Sequence, residues 1–150
     1  MAALGAVFHH YPQKDMEMIG VTGTNGKTTT TYLIKSIIEA AGYKTGLIGT
    51  IDVIIGNNKI SAERTTPESL DIYHYLSKMR KQGIKYVVME VSSHALDLKR
   101  VEGIEFSVAV FTNLTQDHLD YHHSLQQYIE AKSKLFKKIK KNKFAVGHIV

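Results

Sequence analysis

The chain has 150 residues, a formal net charge of +5, 43% hydrophobic residues and 22% charged residues, enough for one domain with a proper core. It contains no cysteine, which excludes disulfides, thiolate metal sites and cysteine nucleophiles. No apolar run approaches the ~20 residues of a membrane span, and no basic n-region opens the chain, so a cytoplasmic protein without a membrane partner is expected.

Residues 1–15 are partly apolar and end in Tyr11-Pro12-Gln13-Lys14-Asp15. They read as the tail of a preceding domain or a linker rather than a folded unit, and His9 and His10 as ordinary loop histidines. An apolar strand follows (Met16, Met18, Ile19, Val21) and runs into a turn punctuated by Gly20, Gly23 and Gly26. The spacing of Leu33, Ile34, Ile37, Ile38 and Ala41 predicts a helix over 27–41 with those residues buried, stopped by Gly42. Residues 44–55 are β-rich, and Gly56-Asn57-Asn58-Lys59 predicts a hairpin turn. After a polar loop, Thr66 is the expected N-cap and Pro67 the first residue of a helix reaching 82. Leu70, Ile72, Tyr73, Leu76 and Met79 would face inward, and Gly83 would end it. Residues 85–91 form a continuous apolar strand closed by Glu90, a pattern suited to a strand covered on both faces. A bend at 92–97, a strand over 107–112, a polar stretch over 113–123, a helix over 125–140 and a strand beginning at Phe144 complete the chain. Alternating strands and helices predict an α/β fold of P-loop type, with a mostly parallel, doubly wound sheet and flanking helices.

Seven lysines lie between 132 and 143 with no acid among them. Without them the rest is near neutral, so the basic excess reads as a solvated helix end and no nucleic-acid partner is expected.

In such sheets ligands sit at the carboxyl ends of the strands. The first glycine of the strict pattern G-x-x-x-x-G-K-[ST] would fall on Val21, so the match is partial. Gly23 and Gly26 nevertheless let the backbone approach phosphates, the helix starting near Lys27 points its positive end at them, and Thr28 is placed to ligand Mg²⁺. Glu90, at the end of an apolar strand, is the candidate for a second Mg²⁺ contact, because a buried carboxylate there calls for a cation. His118 is a candidate metal ligand, with Asp117 orienting it. His94 would hold the bend together, and His122 and His123 read as surface residues. Nothing in the local pattern distinguishes Lys132 from its neighbours.

Three separated segments carry a more specific signal: Thr22-Gly23-Thr24-Asn25-Gly26-Lys27-Thr28-Thr29-Thr30, Met89 through Leu96, and Asn113 through His122. Together they resemble the Mur ligases of peptidoglycan synthesis over roughly residues 16–146. Thr65-Thr66-Pro67-Glu68-Ser69 and the bend from Ser92 to Arg100 narrow the resemblance to the branch that extends UDP-N-acetylmuramoyl-L-alanyl-D-glutamate with meso-diaminopimelate or L-lysine. The resemblance implies a cytoplasmic, monomeric, ATP- and Mg²⁺-dependent ligase that activates a carboxylate as an acyl phosphate for attack by an amine. It implies that Gly23, Thr24, Asn25, Gly26, Lys27, Thr28 and Thr29 hold ATP, and that Thr28, Glu90 and His118 serve the metal ions. Thr65, Thr66, Ser92 and Arg100 would contact the UDP-linked dipeptide. Lys27, Lys132 and His118 would be catalytic, Lys132 as a carbamylated lysine. Many members have glutamine two residues before the arginine of the bend, where this chain has Leu98. The resemblance also implies that residues 16–150 are a truncated central ATP-binding domain, unable to complete ligation alone. Two alternatives stand beside it. One is a folylpolyglutamate synthetase-like ligase, whose loop usually reads Gly-Lys-Gly-Ser where this chain has Gly26-Lys27-Thr28-Thr29. The other is a non-catalytic ATP-binding module.

Overall fold

The computed structural model describes residues 1–115, 119–122 and 124–147. In chain order its elements are α1 (Ala2–Phe8), β1 (Glu17–Thr22), α2 (Lys27–Ala40), β2 (Thr45–Ile48), β3 (Asp52–Ile55), β4 (Asn58–Ser61), α3 (Ser69–Lys81), β5 (Tyr86–Glu90), α4 (Ser93–Asp97), β6 (Phe106–Phe111), α5 (Leu119–His122), α6 (Leu125–Ser133) and β7 (Ile139–Gly147). Short 3₁₀ turns occupy Pro12–Asp15 and Phe136–Lys138.

The strands form one sheet in the order β4-β3-β2-β5-β1-β6-β7. β2, β5, β1, β6 and β7 run parallel, while β3 and β4 are antiparallel additions at one edge. The mostly parallel α/β sheet expected from the alternation is therefore present. The reason is visible in β1, where alternate residues serve opposite faces. Met18 joins the larger core, with Ile72, Tyr73, Leu76 and Met79 of α3 and with Leu135. Ile19 and Val21 join Val88 under Ile34 and Ile38 of α2. Strands covered on both sides must be apolar on both sides, which the runs at 16–21 and 85–91 are.

Several local expectations shift. The β-rich stretch 44–55 is two antiparallel strands that reverse at 49–51. The predicted buried face of α2 is narrower: Ile34 and Ile38 pack on the sheet, whereas Leu33 and Ile37 are 58% and 68% exposed and Ala41 is exposed. Three of those five apolar positions thus lie outside the stripe that meets the strands. Leu70 of α3 is likewise 44% exposed. Residues 1–15 are not a loose tether. Ala2 and Ala6 are core residues, and the Arg80 guanidinium donates to the carbonyls of His9 and His10 at 3.0 and 2.8 Å.

The last helix stops at Ser133, not near 140. Leu135 is fully buried, which turns the chain inward, and Ile139 already pairs with Phe106 of β6. The lysines that follow are consequently not one solvated helical face. Lys134 bonds to Asp97 at 2.7 Å, Lys138 to Glu102 at 2.6 Å, and Lys143 lies 3.4 Å from Glu17. Among the described residues, no helix is long and apolar enough to cross a membrane.

The difference between predicted and observed helix faces is measurable. Leu76→Ala, in the fully buried stripe of α3, should lower unfolding free energy by about 2–5 kcal/mol in urea titrations. Leu33→Ala should stay within about 0.5 kcal/mol of the parent.

Candidate phosphate-binding site

The carboxyl ends of β1, β5 and β6 bring three separated segments together. After β1 the chain enters a loop at Gly23 (φ 142°), and Gly26 (φ 81°) is the N-cap of α2. No side chain caps that helix start, and the position a Cβ would take on Gly26 meets no protein atom within 4 Å. Backbone N–H groups at such a helix start, with the positive end of the helix dipole behind them, suit an anion.

The segment after β6 fixes the shape of this loop. The Asn113 side chain grips the backbone of one residue at two points: its Oδ1 accepts from the Asn25 N–H at 3.0 Å, and its Nδ2 donates to the Asn25 carbonyl at 3.1 Å. The Thr112 hydroxyl donates to the same carbonyl at 2.6 Å. The Thr24 N–H donates to the Asn113 carbonyl at 2.9 Å, and Thr24 Oγ1 accepts from the Thr115 N–H at 3.0 Å. The amides of Thr24 and Asn25 are therefore committed to the protein itself.

Two lysines converge on one carbonyl. Lys27 Nζ donates to the carbonyls of Thr24 and Gly23 at 2.8 and 3.1 Å. Lys132 Nζ, from α6, donates to the same Gly23 carbonyl at 2.7 Å and lies 4.2 Å from the centre of the Tyr128 ring. Lys132 is only 2% exposed. Tyr128 is itself fully buried, with its hydroxyl 3.3 Å from Thr24 Oγ1. Sequence spacing gives no sign of this, because Gly23 and Lys132 are 109 residues apart.

Glu90 ends β5 fully buried. Its carboxylate accepts from the Thr28 hydroxyl at 3.1 Å, from the Thr50 N–H at 2.9 Å and from the Thr50 hydroxyl at 2.9 Å. An ionised carboxylate only accepts hydrogen bonds, and a buried one beside a hydroxyl on a phosphate-type loop has the chemistry of a hard divalent-cation site. Thr50 was not legible as part of this cluster. Its turn is braced by the Tyr32 hydroxyl, which donates to Asp52 at 3.0 Å. Burial, aided by the Asp52 carboxylate, raises the pKa of Tyr32 above its ordinary value, so the phenol stays a donor.

Thr66, expected as a helix cap, does something else. α3 begins at Ser69 with Glu68 as N-cap. The Thr66 hydroxyl donates to the Glu90 carbonyl at 2.9 Å and accepts from the Ser92 N–H at 3.0 Å. A hydroxyl so occupied is unavailable to a helix start. Ser92 caps α4 instead, accepting from the Ala95 N–H at 3.2 Å. Arg100 donates to the Thr66 carbonyl at 3.1 Å and pairs with Glu68 at 2.9 Å. Thr65 Oγ1 lies 3.2 Å from Thr50 Oγ1. Thr66, Ser92 and Arg100 are thus one hydrogen-bonded group beside Glu90, which Thr65 joins through Thr50, while Leu98 is 54% exposed.

His118, the expected metal ligand, and Asp117 lie outside the described residues, as does His123. His122, expected at the surface, is 5% exposed. Its ring sits 5.2 Å from that of Tyr128 and 5.6 Å from that of His94, so α4 and α6 meet through these rings. Among the described residues, no group of three or more histidine, aspartate or glutamate side chains is clustered for a metal.

The chain is similar in sequence and in fold to known proteins. The model of the Mur ligase middle domain matches residues 21–149. A UDP-N-acetylmuramoyl-L-alanyl-D-glutamate–2,6-diaminopimelate ligase from Caldanaerobacter subterraneus subsp. tengcongensis is 52% identical over 141 residues, covering 94% of this chain and 29% of that protein. One from Clostridium acetobutylicum is 54% identical over 142 residues, covering 95% of this chain and 30% of that protein. A solved structure of a ligase of the same description superposes with a TM-score of 0.81 at 35% identity, over 97% of this chain and 30% of the other. Mycobacterium tuberculosis folylpolyglutamate synthase, solved with ADP and AMPPCP, gives a TM-score of 0.80 at 16% identity over 98% of this chain and 41% of the other, a likeness of fold alone. The chain spans about three tenths of the length of the curated relatives it matches. With the family model running from the end of β1 almost to the last residue, this chain belongs to the Mur ligase family, whose middle domain it carries.

Proposed function

We propose that this chain is the nucleotide-binding core of a ligase that joins the free carboxylate of UDP-N-acetylmuramoyl-L-alanyl-D-glutamate to the amine of 2,6-diaminopimelate at the expense of ATP. The observation that carries the reading is the 3.1 Å hydrogen bond from Thr28, at the start of α2, to the buried carboxylate of Glu90. It puts a phosphate-type loop and a cation-type acid side by side at the carboxyl end of the sheet. The names of the relatives favour diaminopimelate over lysine.

In this reading, the helix-start amides of Gly26, Lys27, Thr28 and Thr29 bind the phosphates, with Gly23, Thr24 and Asn25 shaping the loop from behind. Lys27 turns its ammonium from the loop carbonyls to the terminal phosphates, where it offsets charge on the transferring group. Thr28 and Glu90 would hold Mg²⁺, which would supply further neutralisation of the phosphate charge. The substrate carboxylate oxygen attacks the terminal phosphorus and ADP departs. The amine then attacks the acyl carbon, inorganic phosphate departs, and the amine nitrogen loses a proton. Thr65, Thr66, Ser92 and Arg100 lie beside Glu90 on the side from which the dipeptide would approach. Residues 16–150 are the ATP-binding unit, and the amino acid is selected by parts of the full-length relatives that the chain does not span.

Lys132 suits carbamylation. A carbamylated Nζ keeps one N–H, enough for the bond to the Gly23 carbonyl, while the added carboxylate turns a second cation near the loop into a metal-serving anion.

The test is a chimera in which residues 21–149 replace the matching segment of the Clostridium acetobutylicum ligase. Amide formation with diaminopimelate, with one phosphate released per amide, is the expected result. A chimera that folds and binds ATP yet forms no amide would overturn the ligase reading and leave a nucleotide-binding module.

A further inference from the structure

We infer that Thr50, in the turn between β2 and β3, is a positioning residue that locks the Glu90 carboxylate in the orientation needed to hold a divalent cation and ties it to the Thr65 loop. The inference rests on the proposed role of Glu90 as a metal contact.

Three hydrogen bonds reach the Glu90 carboxylate, and two come from Thr50. They are divided between the oxygens: the Thr50 N–H goes to Oε1 and the Thr50 hydroxyl to Oε2, each at 2.9 Å. A pair of donors from one residue, one on each oxygen, fixes both the direction and the plane of the carboxylate. The third bond, from Thr28 at 3.1 Å, goes to Oε2 as well. A hydroxyl that also ligands a cation donates its proton away from that cation, so Thr28 alone does not set the plane of the acid. Thr50 alone holds both oxygens of the acid.

The turn that presents Thr50 is stiff. The Gly49 N–H donates to the Asp52 carbonyl and the Ala62 N–H to the Ile51 carbonyl, each at 3.0 Å. Tyr32, one helical turn beyond Thr28, holds the Asp52 carboxylate at 3.0 Å. Gly49 lies directly against the acid: a Cβ there would sit 2.7 Å from Glu90 Oε1 and 3.2 Å from Leu47 Cδ2. A support this close admits little freedom in the carboxylate.

Thr50 also faces the other way. Its Oγ1 is 3.2 Å from Thr65 Oγ1. The single Thr50 proton goes to the carboxylate, the stronger acceptor, so the oxygen accepts from Thr65. The hydroxyl therefore links the acid to the loop that carries Thr65 and Thr66.

The experiment is equilibrium binding of ATP to the chain across a Mg²⁺ titration, for wild type, Thr50→Val and Thr50→Ser. Valine keeps the shape and the N–H but removes the hydroxyl; serine keeps both donors. Partners that orient a metal ligand typically contribute ~10–100-fold to metal affinity. Thr50→Val should thus raise the Mg²⁺ concentration giving half-maximal tightening of ATP about tenfold or more, with Mg²⁺-free ATP affinity unchanged. Thr50→Ser should return the Mg²⁺ requirement toward wild type. The inference is overturned if Thr50→Val titrates like wild type, or if it weakens ATP equally with and without Mg²⁺. If wild type itself shows no Mg²⁺ dependence, the metal role of Glu90 fails and this inference fails with it.

Discussion

Gly23→Ala is expected to cost the chain most of its affinity for ATP. Two separate obstacles meet at this residue. Its φ of 142° lies where side chains are strongly disfavoured. A Cβ would also stand 2.0 Å from Thr112 Oγ1 and 3.1 Å from the backbone N and O of Asn113. The hydroxyl could swing aside only by giving up its 2.6 Å bond to the Asn25 carbonyl, and the Asn113 backbone cannot shift without moving the side chain's grip on the Asn25 N–H and carbonyl. The loop would have to change shape. Strain of ~1–3 kcal/mol relieved in that way predicts a roughly 5- to 150-fold weaker complex. Gly26→Ala separates the two obstacles, since no atom lies near its Cβ position and only the left-handed backbone cost of ~1–2 kcal/mol remains. Isothermal titration with ATP and Mg²⁺ measures both variants; a Gly23→Ala chain binding as tightly as wild type would refute the role of this loop.

The second large effect is expected at Lys27. Its ammonium reaches the carbonyls of Thr24 and Gly23, so it already hangs over the loop. Removing a charged donor from a phosphate costs ~1.5–3 kcal/mol, or about tenfold to more than a hundredfold in the dissociation constant. Lys27→Met preserves the length of the stem and isolates the charge. Lys27→Arg should not rescue it, because a planar fork does not occupy the place of a point charge on a short tether. The loss should grow from AMP through ADP to ATP if the ammonium serves the terminal phosphates. Equal losses for all three nucleotides would contradict that assignment. Folding should be little affected, since Lys132 still satisfies the Gly23 carbonyl.

The features that proved legible are those that neighbours in sequence determine. The apolar runs, the glycine turn and the start of α2 arise within a few residues of one another, so pattern alone located the loop and the parallel sheet. Glu90 could be found because a single acid closing a doubly covered strand is chemically out of place. What pattern missed was assembled at long range. Asn113 grips the backbone of a residue 88 positions away, Thr50 reaches an acid 40 residues away, and Lys132 looks like any other lysine in a basic run until α6 docks on the loop. Thr66 was misread because the same hydroxyl that suits a cap suits the backbone of β5 better. The end of α6 was misplaced because Leu135 continues the helical spacing yet turns into the core.

The dependence of the loop on residues 112–115 has a bearing on synthesis. Gly23 through Gly26 leave the ribosome ahead of the side chains and carbonyls that hold them, which arrive about 90 residues later, a lag of ~5–20 s at ~5–20 residues per second. Throughout that interval the nascent segment has the glycines and the lysine but lacks the frame that makes them a receptor. Nucleotide can therefore act as a folding template only once β6 has emerged and taken its place beside β1.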